Sequence, residues 1–279
     1  NFDTKIETPI NKAVELLQPL EENPRIKQLK TKNRYAFNED GSSVSALKQY
    51  QVRDAIFEAT AQYAARDPML IIFGEEHRDW GGPYAVWRGM TELLPYHRFF
   101  NTPIAEASIV GCAVGYALCG GKAVVEIMYF DFLFRAGDEI SNQMAKWRAM
   151  SGGLLNCPLV LRANIGASYG AQHSQDYTSV IAHIPGLKLV QPATPYDAKG
   201  LMKAALDDPN PVIFVETQSL YGYGERFVKS GVPENEYSIP IGQPIIRRNG
   251  HDLTIATLGA ALYPALEAAE ILAKEHGIE

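Results

Sequence analysis

Five short apolar runs recur along this chain, each bounded by glycine, proline or charge. They are Met69 to Phe73, Val124 to Phe130, Pro158 to Arg162, Gly186 to Val190 and Val212 to Glu216. Runs of this length that are apolar throughout suit strands buried on both faces. Helical period marks the stretches around them. Tyr50 to Arg66 has apolar positions at Val52, Ile56, Ala59 and Tyr63, and Asp67-Pro68 breaks it. Ala136 to Met150 reads as a helix ended by Ser151-Gly152-Gly153, and Tyr196 to Leu206 as one started by Thr194-Pro195. Trp87 to Leu94 predicts a further short helix. Strand, helix, strand in this order predicts an α/β fold, a mostly parallel sheet with helices on both faces.

The stretch Thr102 to Phe132 carries the most chemistry. Thr102 and Pro103 predict a helix start, and Gly120-Gly121 its end. Glu106 lies in the first turn, where the helix dipole favours an acid. A capping box from Thr102 would need its acid at position 105, which is alanine, so that motif leaves Glu106 unexplained. Ile104, Ala105, Ala107 and Ile109 flank it. A carboxyl in such apolar surroundings can hold or share a proton near neutrality. Gly111 and Gly115 lie one turn apart on one helix face. Each costs roughly 1 kcal/mol against alanine. Close approach of another helix would offset that, either in an ordinary core or at a subunit interface beside a cofactor.

Composition excludes several classes. The chain has 279 residues, is 46% hydrophobic and carries a net charge of -6. That is a globular balance with ample core and with nothing favouring nucleic acid or an anionic membrane. No apolar run approaches the roughly 20 residues of a spanning helix, and no signal peptide opens the chain. Cys112, Cys119 and Cys157 read as buried free thiols in a reducing compartment, and no Cys/His spacing resembles a zinc site. A dinucleotide Gly-x-Gly-x-x-Gly and a P-loop are both missing.

Other features place candidate groups at strand ends. Gly74-Glu75-Glu76 follows the first run, at the edge where open α/β sheets put their ligands, although one of the two acids reads as a solvated turn. His173 lies in a loop from Ala163 to Gln175 among small residues that permit close approach of a substrate. Residues 1–48 are polar, with a short amphipathic helix expected over Ile10 to Leu20 and a linker over Glu21 to Ser45. Gly231 to Arg248 reads as a crossover, Leu253 to Leu258 as a strand and Ala260 to Glu275 as a helix. We therefore divide the chain into an extension or linker (1–48), a main domain (49–232) and the beginning of a second α/β domain (233–279). The start at Asn1 and the end just after a helix suggest a fragment, a processed chain or part of a longer polypeptide.

An ordered set of motifs resembles one family from about Tyr50 to Glu279. The set is Gly74-Glu75-Glu76 with Gly81-Gly82, Asn101-Thr102-Pro103-Ile104-Ala105-Glu106, Glu126-Ile127-Met128, Asp138-Glu139-Ile140, Ser151-Gly152-Gly153, Gln172-His173-Ser174-Gln175, His183-x-Pro185-Gly186-Leu187-Lys188 and Asp197-Ala198-Lys199-Gly200-Leu201. It is similar to the beta subunit, or beta half, of thiamine-diphosphate-dependent 2-oxoacid dehydrogenases. These are the decarboxylating components of pyruvate, branched-chain 2-oxoacid and acetoin dehydrogenase complexes. The resemblance implies a pyrimidine-binding domain that supplies half of a site. An alpha subunit or fused alpha domain would hold the diphosphate and magnesium through Gly-Asp-Gly, a motif this chain lacks. It also implies a second beta copy, a lipoyl-bearing acyltransferase as acyl acceptor, and a cytoplasmic location, or the mitochondrial matrix in a eukaryote.

The resemblance also assigns roles. Glu106 matches the glutamate that hydrogen-bonds a pyrimidine ring nitrogen and assists proton transfer within the cofactor. Phe132 matches the aromatic stacked on the pyrimidine, and Met128 and Ile104 match pocket positions beside it. His173 matches the histidine that acts as the acyl group passes to the lipoyl arm. Leu159, Ala205, Asp208 and Asn210 match positions holding a structural monovalent cation such as potassium. Three features depart from the pyruvate-type pattern: a shorter loop between Asn164 and Gln172, Trp80, and Tyr129. The spelling of Arg135 to Trp147 and Gly222 to Val232 is closest to fused enzymes for branched-chain substrates. Three alternatives stand beside this expectation: an acetoin dehydrogenase component, a transketolase- or deoxyxylulose-phosphate-synthase-like enzyme, and a non-catalytic assembly module.

Overall fold

The computed structural model describes residues 14–166 and 169–279. Its strands are Leu70–Glu75 (β1), Phe99–Thr102 (β2), Lys122–Ile127 (β3), Leu159–Ile165 (β4), Lys188–Val190 (β5) and Val212–Thr217 (β6). They form one sheet in the order β2-β1-β3-β4-β6-β5, with every pair parallel. The helices are Pro24–Lys30 (α1), Val52–Ala64 (α2), His77–Trp80 (α3), Glu106–Leu118 (α4), Ala145–Met150 (α5), Thr178–Ala182 (α6), Pro195–Asp207 (α7) and Leu262–Ile271 (α8).

Alternation along the strands splits the core in two. Ile72, Val124, Val160, Val212 and Phe214 pack against α2 and α7. Phe73, Val125, Leu161, Ile213 and Val215 face the other way, onto α4 and Ile181 of α6. Both faces are covered, so the near-continuous apolar runs follow from burial rather than from strand propensity alone. Local signals start the helices that cover them. The Thr194 hydroxyl accepts from the Asp197 amide at 3.1 Å with Pro195 in the first turn, and Gln51 and Asp54 close a capping box on α2.

Strand order sets where a ligand would sit. The chain leaves β1 for β2 on one side, crosses back over β1 to β3, and then moves on to β4. The carboxyl ends of β1 and β3 are thus neighbours whose connections run in opposite directions, which opens a crevice between them.

Several expectations are corrected. The helix predicted from Thr102 begins at Glu106, because Phe99–Thr102 is claimed by pairing with β1 as an edge strand. Trp87 to Leu94 is a series of turns rather than a helix, with Gly89 at φ +99°. Leu253 to Leu258 forms no strand, since no ladder lies beside it among the described residues. Of the helix expected over 10–20, residues 10–13 lie outside the described residues and 14–19 are irregular.

The Glu21 to Ser45 stretch is not a free linker. Asn23 is fully buried and caps α1, whose Ile26 and Leu29 enter the core. Arg34 pairs with Glu58 at 2.6 Å and donates to the Pro233 carbonyl at 3.2 Å. Ala36 donates to the Glu225 carbonyl at 2.7 Å, and Val232 to that of Arg34 at 3.0 Å. The segment lies across the domain and joins its first residues to its last. The cysteines differ too: all three are free, but Cys112 and Cys119 are exposed on α4 and only Cys157 is buried.

Candidate active site at the carboxyl edge of the sheet

Three strands turn from apolar to charged side chains toward their carboxyl ends on one face. On the α2/α7 face, Val124 is followed two residues on by Glu126, Val160 by Arg162 and Asn164, and Phe214 by Glu216. The register sets Glu126 beside Arg162, and Asn164 beside Glu216. Arg162 is fully buried. It donates to Glu126 at 2.9 Å and to both oxygens of Glu216 at 2.5 and 2.7 Å. Its guanidinium lies 4.4 Å from the centre of the Trp87 ring. The two carboxylates hold Arg162 charged by opposing the cost of burial, and its proximity keeps Glu126 low. His77 Nε2 meets Glu126 at 3.0 Å, and Tyr221 donates to Glu216 at 2.5 Å and also to Asn164. Asn164 in turn donates to the Met128 carbonyl at 3.1 Å. This cluster fixes the carboxyl end of β3.

The second group is acidic and unpaired. Glu75 ends β1 and is 8% exposed, and Glu106 opens α4 at 6%. Neither carboxyl has a hydrogen-bond or ion-pair partner among the described residues. Burial first, then the charges of Glu106, Glu126 and Glu76, push Glu75 up from 4.5 to about 7. The Thr102 hydroxyl, on the β2 residue in register with Glu75, is also buried without a partner.

His173 closes the site from the β4 side. Its ring stands edge-on to Tyr129, at 4.7 Å between centroids, and to Phe132 at 5.4 Å. Its Nδ1 is buried and unpartnered among the described residues. Asp131 holds the loop by accepting from the Ser174 amide, the Gln175 amide and the Gln175 side chain at 3.0–3.2 Å. Gly166 is required beneath it, since a Cβ there would lie 1.6 Å from the His173 carbonyl oxygen.

The structure therefore brings Phe132 and His173 together, and it sets Glu106 at the helix end of the same edge. Met128 is half-buried beyond β3, and Ile104 is 80% exposed before α4. Leu159, Ala205, Asp208 and Asn210 lie elsewhere: Leu159 opens β4, and the other three lie around the end of α7. Asp208 accepts from the Asn210 amide and side chain, both at 2.9 Å, and it pairs with Lys188. No cluster of three or more His, Cys, Asp or Glu able to hold a metal occurs among the described residues. The sequence reading missed His77, Arg162, Glu216 and Tyr221. Its available signal was the charge inside apolar runs, Arg162 and Glu216 at matching alternation.

Comparison with known proteins follows this geometry. Residues 48–223 match the family described as transketolase, pyrimidine binding domain. The beta subunit of acetoin:2,6-dichlorophenolindophenol oxidoreductase from Cupriavidus necator is 44% identical over 246 residues, covering 83% of this chain and 70% of that protein. The mitochondrial pyruvate dehydrogenase E1 component subunit beta-1 of Arabidopsis thaliana is 40% identical over 247 residues, covering 88% and 68%. The pyruvate dehydrogenase E1 component subunit beta of Rickettsia felis is 41% identical over 230 residues, covering 82% and 69%. A solved structure, a split gene transketolase in an inactive beta4 tetramer, shares the fold at a TM-score of 0.65 with 22% identity, over 82% of this chain and 68% of that one. By the extent of the domain match and by these identities, the chain belongs to the transketolase-like pyrimidine-binding family, among the beta subunits of 2-oxoacid dehydrogenase decarboxylating components.

Proposed function

We propose that this chain supplies the pyrimidine half of a thiamine diphosphate site that decarboxylates a 2-oxoacid and passes the acyl group to a lipoyl arm. The unpaired Glu106 carboxyl carries this reading. A largely buried acid that no neighbour engages among the described residues is free to take a ligand's polar atom, and a ring nitrogen is a suitable complement. When bound, the cofactor supplies the electron sink that such a decarboxylation needs.

The residues divide the remaining work. Glu106 would hold the hydrogen bond to the pyrimidine ring, a placement of acid–base chemistry worth about 10²–10⁴-fold. Phe132 offers its ring face, and Met128 and Ile104 complete the pocket beside it. Burial holds Glu75 largely neutral below about pH 7. His173, at the loop mouth, would move a proton as the acyl group leaves for the lipoyl arm. The diphosphate and magnesium fall to an alpha subunit or fused alpha domain, and a second beta copy would cover the small-residue face of α4. Potassium is proposed for the Leu159, Ala205, Asp208 and Asn210 turn, where Lys188 already balances the Asp208 charge and backbone oxygens would do most of the work.

Within the 2-oxoacids, the spelling around Arg135 and Gly222 favours a branched-chain substrate, with pyruvate next. Acetoin is a second reading, favoured by the 44% identity to an acetoin enzyme. Assay of the assembled enzyme with pyruvate, a branched-chain 2-oxoacid and acetoin, each with a lipoyl domain, tests the reading. Turnover of a sugar phosphate instead would overturn it. Calorimetric titration of thiamine diphosphate with magnesium into this chain should show no binding until an alpha partner is added. Tight binding by the chain alone would reject the half-site.

A further inference from the structure

The loop between β1 and β2 is held in an unfavourable backbone. Among the described residues, the non-glycine residues at positive φ are Glu76 at 53°, Tyr84 at 57° and Ala85 at 55°, and all three lie in this loop. Left-handed backbone is unfavourable for a residue with a Cβ. Two in succession persist only where the surroundings over-determine them.

What holds Tyr84 and Ala85 comes from outside the matched domain, which begins at residue 48. One guanidinium nitrogen of Arg25 donates to the carbonyls of Ala85 at 3.2 Å, Val86 at 2.7 Å and Arg88 at 2.7 Å. The other nitrogen pairs with Asp54 at 3.3 Å, and the group lies 4.2 Å from the Phe57 ring centre. Asn23 donates to the Gly89 carbonyl at 2.8 Å. A Cβ on Gly89 would lie 2.8 Å from that of Arg25, so the loop and the α1 segment are in direct contact.

The held residue points at the site. The Tyr84 hydroxyl bonds that of Tyr129, and its ring packs 5.3 Å from that of Tyr221. Tyr129 is the ring against which His173 stands. A continuous path therefore runs from Arg25 through the Ala85 carbonyl and Tyr84 to Tyr129 and His173.

We propose that Arg25 is a positioning residue for His173, clamping the strained Tyr84–Ala85 backbone so that the Tyr84–Tyr129 pair fixes the histidine ring. The proposal rests on the reading of His173 given above. A clamp of this kind acts on the acyl-transfer step and leaves events at Glu106 alone.

The test uses the assembled enzyme and two assays: acylation of a lipoyl domain, and reduction of an artificial dye that bypasses the lipoyl arm. Arg25→Ala should lower lipoyl acylation about tenfold, the scale expected of a sub-ångström misplacement, and keep dye reduction within about twofold. Arg25→Lys retains a charge for Asp54 and should show a smaller split of the same sign. Tyr84→Phe removes one hydroxyl with little risk to folding, and should reproduce the split. Arg25→Ala combined with Tyr84→Phe should lose no more than the larger single loss, because the two act through one path. Hydrogen exchange should rise at amides 85–90 in the Arg25 variants. Parallel loss in both assays, no loss in either, or additive losses in the double variant would each overturn the proposal. His173→Ala, run alongside, separates the two failures. If it leaves acylation intact, the reading of His173 falls and the clamp with it; if it abolishes acylation while Arg25→Ala and Tyr84→Phe do not lower it, the clamp alone falls.

Discussion

Two buried charged groups share the carboxyl edge of the sheet and are built on opposite terms. Around Arg162, each charge is answered: two carboxylates, a guanidinium, a tyrosine hydroxyl, an asparagine and an aromatic face. At Glu75 and Glu106, two carboxyls stand with no cation and no donor among the described residues. The charges of the Arg162 cluster are balanced, although His77 Nδ1 and Trp87 Nε1 at its margin are buried without partners among the described residues, and that balance gives it rigidity. The second group has acidic oxygens that no neighbour engages among the described residues, and that marks it as the place where a ligand's atoms belong.

Breaking the unsatisfied group should have the largest effect on turnover. Glu106→Gln is expected to lower substrate-dependent turnover of the assembled enzyme by about 10²-fold or more, with unchanged circular dichroism. Near-normal turnover would remove Glu106 from the chemistry.

In the satisfied group the effect should appear in stability instead. Arg162→Met leaves Glu126 and Glu216 buried without their cation, at a cost of about 3–5 kcal/mol in urea unfolding. Because both carboxyls would then bind protons more tightly folded than unfolded, the variant should regain stability as pH is lowered. Adding Glu126→Gln and Glu216→Gln should recover part of the loss at neutral pH, and no recovery would mean that Arg162 matters chiefly through its packing on Trp87.

Glu75 sharpens the contrast through pH. Its folded value lies near 7, against 4.5 for the ordinary group. Between these values the folded chain holds a proton that the unfolded chain has lost, so stability falls as pH rises through that window and levels off above it. Glu75→Gln should flatten this slope, and a slope that is unchanged would place the titration on another group. Outside both regions, Thr194→Ala removes the α7 cap and should cost about 1 kcal/mol with turnover unaffected.

The layered α/β fold was legible because double burial writes itself into residue type. The edge strand Phe99–Thr102 was not, since Thr102-Pro103 is an equally good helix start and only pairing with β1 decides between them. Glu106 could be singled out because an acid among apolar residues stands alone, and His173 because it lies among small residues after a strand. Arg162 and Glu216 were passed over. Each looks like the polar end of a run until parallel register sets three strands side by side. The α1 segment was misread for a different reason. Its composition is polar, yet Asn23 and Arg25 are consumed by backbone carbonyls of a loop some 60 residues away, a demand that no local pattern records.

The bond from Arg34 to the Val232 carbonyl spans 198 positions. A ribosome adding about 5–20 residues per second takes roughly 10–40 s to make that much chain. Residues 23–34 can meet Asp54, Glu58 and the loop at residues 85–89 early in that interval, but Arg34 waits for the Val232 carbonyl and Glu58 for Lys199. The closure between the first and last parts of the domain is therefore made late in synthesis.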